Sequence, residues 1–116
     1  MTEMEIVPSI QDRFAHILSA INIIQVELRE CSESELANDR SRRLALERLF
    51  EMVSVACGHI PYEIKAAETA VDWRCFADIG ARLENTRVRI EPEILWGIAG
   101  EKLVPLKTCV ERRIRA

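Results

Sequence analysis

Pro8-Ser9-Ile10-Gln11-Asp12-Arg13-Phe14-Ala15-His16-Ile17-Leu18, continuing through Ile21, Ile24 and Leu28, decides the class of fold. Its apolar residues recur every three or four positions, the period of an α-helix and not of a strand. Ser9 is placed to cap free N–H groups at the start, and Asp12 suits the positive end of the helix dipole. Ile23 and Val26 widen the stripe, so this helix is expected to be buried on more than one side, with apolar surface left over for a partner.

The rest of the chain repeats the pattern. Cys31–Arg40 is polar and reads as a connection, with room for a short turn. A second helix starts at Asn38 or Asp39 and presents Leu46, Leu49, Phe50, Val53 and Cys57, with Leu44 and Ala56 beside them. Gly58 weakens it and Pro61 ends it, leaving one or two further turns over Pro61–Ala67. A third helix is capped by Asp72, with Trp73, Phe76, Ala77, Gly80 and Leu83 on one face. Gly80 there is costly unless a neighbour approaches closely. Asn85–Glu91 has no apolar stripe. Pro92 opens a fourth helix, with Ile94, Leu95, Ile98, Leu103, Leu106, Val110 and Ile114 inward and a kink at Pro105.

The expectation is an all-α, up-and-down four-helix bundle plus one short helix, a single domain over residues 1–116 with about the first eight residues flexible. Composition agrees: 48% of residues are hydrophobic but only 5% aromatic, and Gly and Pro number four each, which favours aliphatic helices over sheet.

Charge and motifs exclude several functions. A net charge of −3 argues against a general nucleic-acid coat protein, though not against a local basic site. Cys31, Cys57, Cys75 and Cys109 form no C-x-x-C pair, so they read as reduced, mostly buried thiols rather than zinc ligands. Phosphate-binding loops, serine-nucleophile elbows and zinc-protease motifs are absent, and no metal or organic cofactor is indicated. No apolar run reaches the roughly 20 residues that cross a membrane, and residues 1–10 do not read as a secretory signal. The expected location is the cytoplasm.

Among charged groups, His16 and His59 read as structural. Glu33 with Glu35, and Glu91 with Glu93, read as capping and solvation. Arg40, Arg42 and Arg43 read as a solvated helix face, and Arg112, Arg113 and Arg115 as cations at a helix C-terminus. Arg82, Glu84, Asn85, Arg87 and Arg89 are the candidate binding residues: three guanidiniums within eight residues suit a phosphate or an acidic partner. Locally, an exposed charged helix end explains them as well.

Val71-Asp72-Trp73-Arg74-Cys75-Phe76-Ala77-Asp78-Ile79-Gly80-Ala81-Arg82 resembles the HepT-like branch of the HEPN superfamily, in which a Pro-Trp-Arg segment leads into a helix. Pro61, about a dozen residues before Trp73, matches a family proline. Trp96, and Leu103-Val104-Pro105-Leu106-Lys107, match features of the last helix. The resemblance runs from Phe14 onward. It implies a homodimeric helical bundle and a ribonuclease toxin paired with a minimal nucleotidyltransferase antitoxin. In that family an arginine is followed, after four to six residues, by a histidine, and two protomers bring these motifs together in a cleft. The resemblance makes Arg82 the motif arginine and the catalytic candidate.

The histidine is missing. Thr86-Arg87-Val88-Arg89 stands in its place, and no histidine follows His59. Leu83 replaces the usual polar residue, the loop is about two residues short, and the only tyrosine is Tyr62, away from the motif. Arginine stays protonated and cannot serve as a general base. The expectation is therefore a degenerate HepT-like dimer that binds a nucleotidyltransferase partner, RNA or a nucleotide without efficient cleavage. Two alternatives stay open: an active ribonuclease using another group such as His59, and a helical adaptor with no nucleic-acid role.

Overall fold

The computed structural model describes residues 8–85 and 90–115, except for the side chain of Arg115. Among the described residues seven helices follow one another: α1 (Ile10–Arg29), α2 (Glu33–Asn38), α3 (Arg40–Gly58), α4 (Tyr62–Ala67), α5 (Trp73–Glu84), α6 (Pro92–Glu101) and α7 (Leu103–Arg115). No strand occurs among the described residues. The chain has the all-α architecture that its periodicity predicts.

Local chemistry sets the boundaries. Ser9 caps α1 in a reciprocal box: its hydroxyl accepts from the Asp12 N–H at 3.0 Å, and its own N–H donates to Asp12 at 2.9 Å. Ser32 and Glu35 form a second such box. It makes a helix of the stretch read as a connection, and it buries Leu36 completely. Asp39 caps α3, and Asp72 caps α5 by accepting from the Cys75 N–H at 3.1 Å. Pro92 occupies the first position of α6.

The expected single last helix divides into α6 and α7 at Lys102, three residues before Pro105. Proline lacks the N–H that would bond back to the carbonyl of residue 101, and its ring crowds that carbonyl. Pro105 therefore lies in the first turn of α7, where it costs little, and the break falls upstream.

The bundle forms a row, with α5 against α3, α3 against α1, and α1 against α7. Gln11 donates to the Arg113 carbonyl, and Lys107 donates to Gln25, so α1 and α7 run antiparallel. Phe14, Phe50 and Phe76, with Ile17, Ile21, Ile24, Leu46, Leu95, Leu103 and Leu106, fill the core. Three expected faces are corrected, one of them in α6 and α7, where Ile94 and Ile114, read as inward, are 43% and 37% exposed. In α1 only one side is buried, because Ile23 and Val26 remain 47% and 42% exposed. In α5, Ile79 and not Ala77 joins Phe76 in the core.

Gly80 faces α3, and what approaches it is a side chain. The Ser54 hydroxyl donates to the Phe76 carbonyl at 2.7 Å, and a Cβ on Gly80 would collide with that hydroxyl. Phe76 lies one turn before Gly80, so the absent side chain opens the path by which Ser54 reaches the α5 backbone. This contact sets the spacing of α5 on α3, and with it the site.

Candidate functional site

Helix α5 carries the site. Arg74, Asp78 and Arg82 are spaced by four residues, so their side chains leave one face of the helix about 6 Å apart. All three are exposed. Beside them, α6 contributes Ile94 and Ile98, and Ile79 and Ile90 close the floor. These residues, with Asp72 and Cys75, line an open groove with a cavity volume of about 310 Å³.

Asp72, on the groove at the start of α5, is ion-paired with Lys102 at 3.1 Å. That bond to Lys102, together with the Cys75 N–H, holds the Asp72 carboxyl below its ordinary range. Burial pushes the Cys75 thiol the other way, upward, so it is a weak nucleophile at neutral pH. Arg82 stands in the last turn of α5, toward the other end.

The expected site residues separate. Arg82 lies on the groove. Glu84 is exposed at the end of α5 and is not among the lining residues. Asn85 caps the helix, its N–H donating to the Arg82 carbonyl. Arg87 and Arg89 lie outside the described residues, as do residues 1–7 of the expected flexible N-terminus. Arg74 and Asp78, which the local reading passed over, join Arg82 instead. Their signal was present in the sequence: an Arg-Asp-Arg series at four-residue steps.

Neither histidine reaches this groove. His16 is exposed on α1, in a shallow depression with Arg13, Arg48, Glu51 and Met52, and His59 is the exposed C-cap of α3. Among the described residues, no cluster of three or more His, Cys, Asp or Glu side chains is arranged to hold a metal ion. The four cysteines are unpaired thiols, with Cys57 and Cys109 buried.

Two basic clusters have structural roles. Arg112 and Arg113 do more than meet a helix dipole: both bind the Glu68 carboxylate, at 2.6 and 2.9 Å from Arg112 and 2.7 Å from Arg113. Glu68 is buried, and the guanidinium of Arg112, joined by that of Arg113, lowers its carboxyl to about 2. The indole of Trp73 donates to the Glu68 carbonyl at 3.2 Å, which ties the start of α5 to the same point. Arg43 folds back to donate to the Ala37 carbonyl, and Arg42 pairs with Asp39, so only part of that cluster is a solvated face. Trp96 is half-buried against the core.

The groove can hold one anionic group through Arg82 and apolar atoms against the isoleucines. Asp72 and Asp78 offset the two arginines, so it is no uniform track for a polyanion. Among the described residues the groove offers two guanidiniums and two carboxylates and no histidine.

The family model for ribonuclease HepT-like proteins matches residues 17–113. No curated protein and no solved structure matches the chain.

Proposed function

The chain belongs to the HepT-like family, and from that premise we propose that it is a degenerate HEPN protein of a toxin–antitoxin type system. It works as a homodimer in the cytoplasm, pairs with a minimal nucleotidyltransferase, and binds RNA or a nucleotide without cleaving RNA efficiently. The observation that carries this reading is Arg82, exposed on the groove of α5 and α6, in a chain with no histidine after position 59.

In the family's chemistry the arginine holds the phosphate and the histidine moves the proton. The first role survives. A guanidinium remains protonated at neutral pH and gives a forked pair of donors to phosphate oxygens. The second role has no occupant, because Arg87 and Arg89 cannot take a proton from a 2′-hydroxyl. In this reading Arg82, Arg87 and Arg89 bind, and Glu84 and Asn85 shape the cleft. No helix among the described residues is long and apolar enough to cross a membrane.

The test is binding of a labelled single-stranded RNA by the wild-type chain and by a variant with alanine at Arg82, Arg87 and Arg89. Wild-type binding should weaken as salt rises, because each phosphate contact releases counterions. The triple variant should bind at least about tenfold more weakly, at roughly 1.4 kcal/mol per tenfold. Equal binding by both proteins, to RNA and to a minimal nucleotidyltransferase, would remove the proposal.

A further inference from the structure

Helix α6 separates two depressions. Ile94 and Ile98 belong to the α5 groove. On the other flank, Trp96, Ala99 and Gly100 face Gln25, Leu28 and Arg29 of α1 across an open slot of about 450 Å³. The two differ in kind. Among the described residues the slot is lined by an indole and no carboxylate, whereas the α5 groove has two carboxylates and no aromatic ring.

The slot is open where a side chain would close it. Trp96 packs against the core and is half-buried. Its neighbours on the slot are small: Ala99, which is buried, and Gly100, which is exposed. Glycine inside a helix costs stability, and Gly100 has no positive φ to require it. A Cβ there would meet nothing within 4 Å. A tryptophan serving the core alone would gain from a larger neighbour that covered more of its apolar surface. Gly100 instead leaves room for a flat ring beside the indole.

The polar groups set the chemistry of the ligand. Lys107 donates to Gln25 at 2.9 Å. An ammonium only donates, so the amide oxygen is the atom turned to it, and the Gln25 amide keeps its two N–H donors for another group. Arg29, exposed in the last turn of α1, takes part in no ion pair among the described residues. The slot thus offers a ring for stacking, amide donors and a guanidinium. A nucleobase with its phosphate answers all three, with a flat π face, acceptor atoms along its edge and an anion. An aromatic side chain of a protein partner would bring no anion for Arg29.

We propose that the slot between α1 and α6 binds one nucleobase with its phosphate: the base beside Trp96 and over Gly100, its edge on Gln25, its phosphate on Arg29. The inference rests on the RNA or nucleotide binding of the proposed function and adds a second site for the base, across α6 from Arg82. A helix with its side chains is about 10–12 Å across. A short single strand passing over α6 therefore engages Arg82 and the slot together, and a free mononucleotide occupies the slot alone.

The test measures binding of a labelled short single-stranded RNA by fluorescence anisotropy, and of adenosine monophosphate by calorimetry. The proteins are the full wild-type chain, Trp96→Leu, Trp96→Phe and Gly100→Leu. Circular dichroism and urea denaturation check the fold, and Gly100→Leu, whose side chain enters open space, should keep it even if Trp96→Leu does not. Loss of the stacking ring, or its obstruction, should weaken RNA binding by about tenfold or more in Trp96→Leu and Gly100→Leu. Trp96→Phe keeps a ring and should stay within about fivefold of the wild type. Adenosine monophosphate binding that falls in the same variants adds the free nucleotide as a source of the ligand; RNA binding that falls without it assigns the slot to a strand. RNA binding that ignores Trp96→Leu and Gly100→Leu, yet falls when Arg82, Arg87 and Arg89 are alanine, overturns the slot and leaves the proposed function standing. Loss in the slot variants with no change in that triple variant keeps the slot and overturns the role of Arg82. Weaker binding of a minimal nucleotidyltransferase by the slot variants, with RNA unaffected, overturns the nucleobase and gives the slot to a protein. No binding of RNA or adenosine monophosphate by the wild type overturns both readings.

Discussion

Gly80→Ala is a methyl-sized change whose effect follows from one contact. In most exposed helix interiors this substitution stabilises by up to about 1 kcal/mol, because glycine loses more backbone freedom on folding. Here the added Cβ would strike the Ser54 hydroxyl, and the Ser54 Cβ would lie 3.0 Å away. Ser54 must rotate, give up its bond to the Phe76 carbonyl and leave a buried hydroxyl unpaired, at a cost of about 1–3 kcal/mol. Crowding between α3 and α5 adds about 1–3 kcal/mol. After subtracting the propensity gain, the expected loss is about 1–5 kcal/mol. Urea denaturation followed by circular dichroism measures it, with Gly100→Ala as control. A Cβ on Gly100 meets nothing within 4 Å, so that variant should be neutral or more stable. The decisive protein is Ser54→Ala/Gly80→Ala, which removes the colliding hydroxyl. It should be more stable than the sum of the two single losses by about 1–2 kcal/mol. Additive losses, or a Gly80→Ala protein as stable as wild type, would refute the reasoning.

Further predictions concern other joints of the fold. Glu68→Gln leaves Arg112 and Arg113 without their carboxylate and should destabilise by about 2–3 kcal/mol in the same assay. Because folding lowers the Glu68 carboxyl from its ordinary 4.5 to about 2, its contribution is complete above about pH 4.5 and is lost as pH falls toward 2. An acid titration of stability should therefore show a steeper fall over that window for wild type than for Glu68→Gln. Ser32→Ala removes the cap of α2 and should cost about 1 kcal/mol, with faster amide exchange confined to the first turn of that helix.

The spacing of Phe14, Ile17, Ile21 and Ile24 revealed a helix because it reports a local, repeating geometry. Ser9, Asp39 and Asp72 revealed starts because capping is a contact between neighbours in sequence. The Ser32–Glu35 box had the same local basis, but the polar residues around it masked the single apolar anchor, Leu36. Tertiary contacts left weaker traces. Nothing near Glu68 in sequence indicates that Arg112 and Arg113 will close on it from α7. Ile79 replaced Ala77 in the core because the direction from which α3 approaches decides which edge of the α5 stripe turns inward. The candidate groove was half legible: Arg82 could be singled out from the sequence through the family resemblance, whereas Arg74 and Asp78 stand out only where the fold sets them on one groove with Ile94 and Ile98 of α6.

The most direct test of the central claim is incubation of the purified chain with RNA, beside Arg82→Ala, with intact RNA and fragments both quantified. The account predicts that both proteins leave the RNA whole and that Arg82→Ala binds it more weakly. Metal-independent cleavage by the wild type that disappears in Arg82→Ala would contradict the account, because a working proton acceptor would then exist in a site whose motif histidine is absent.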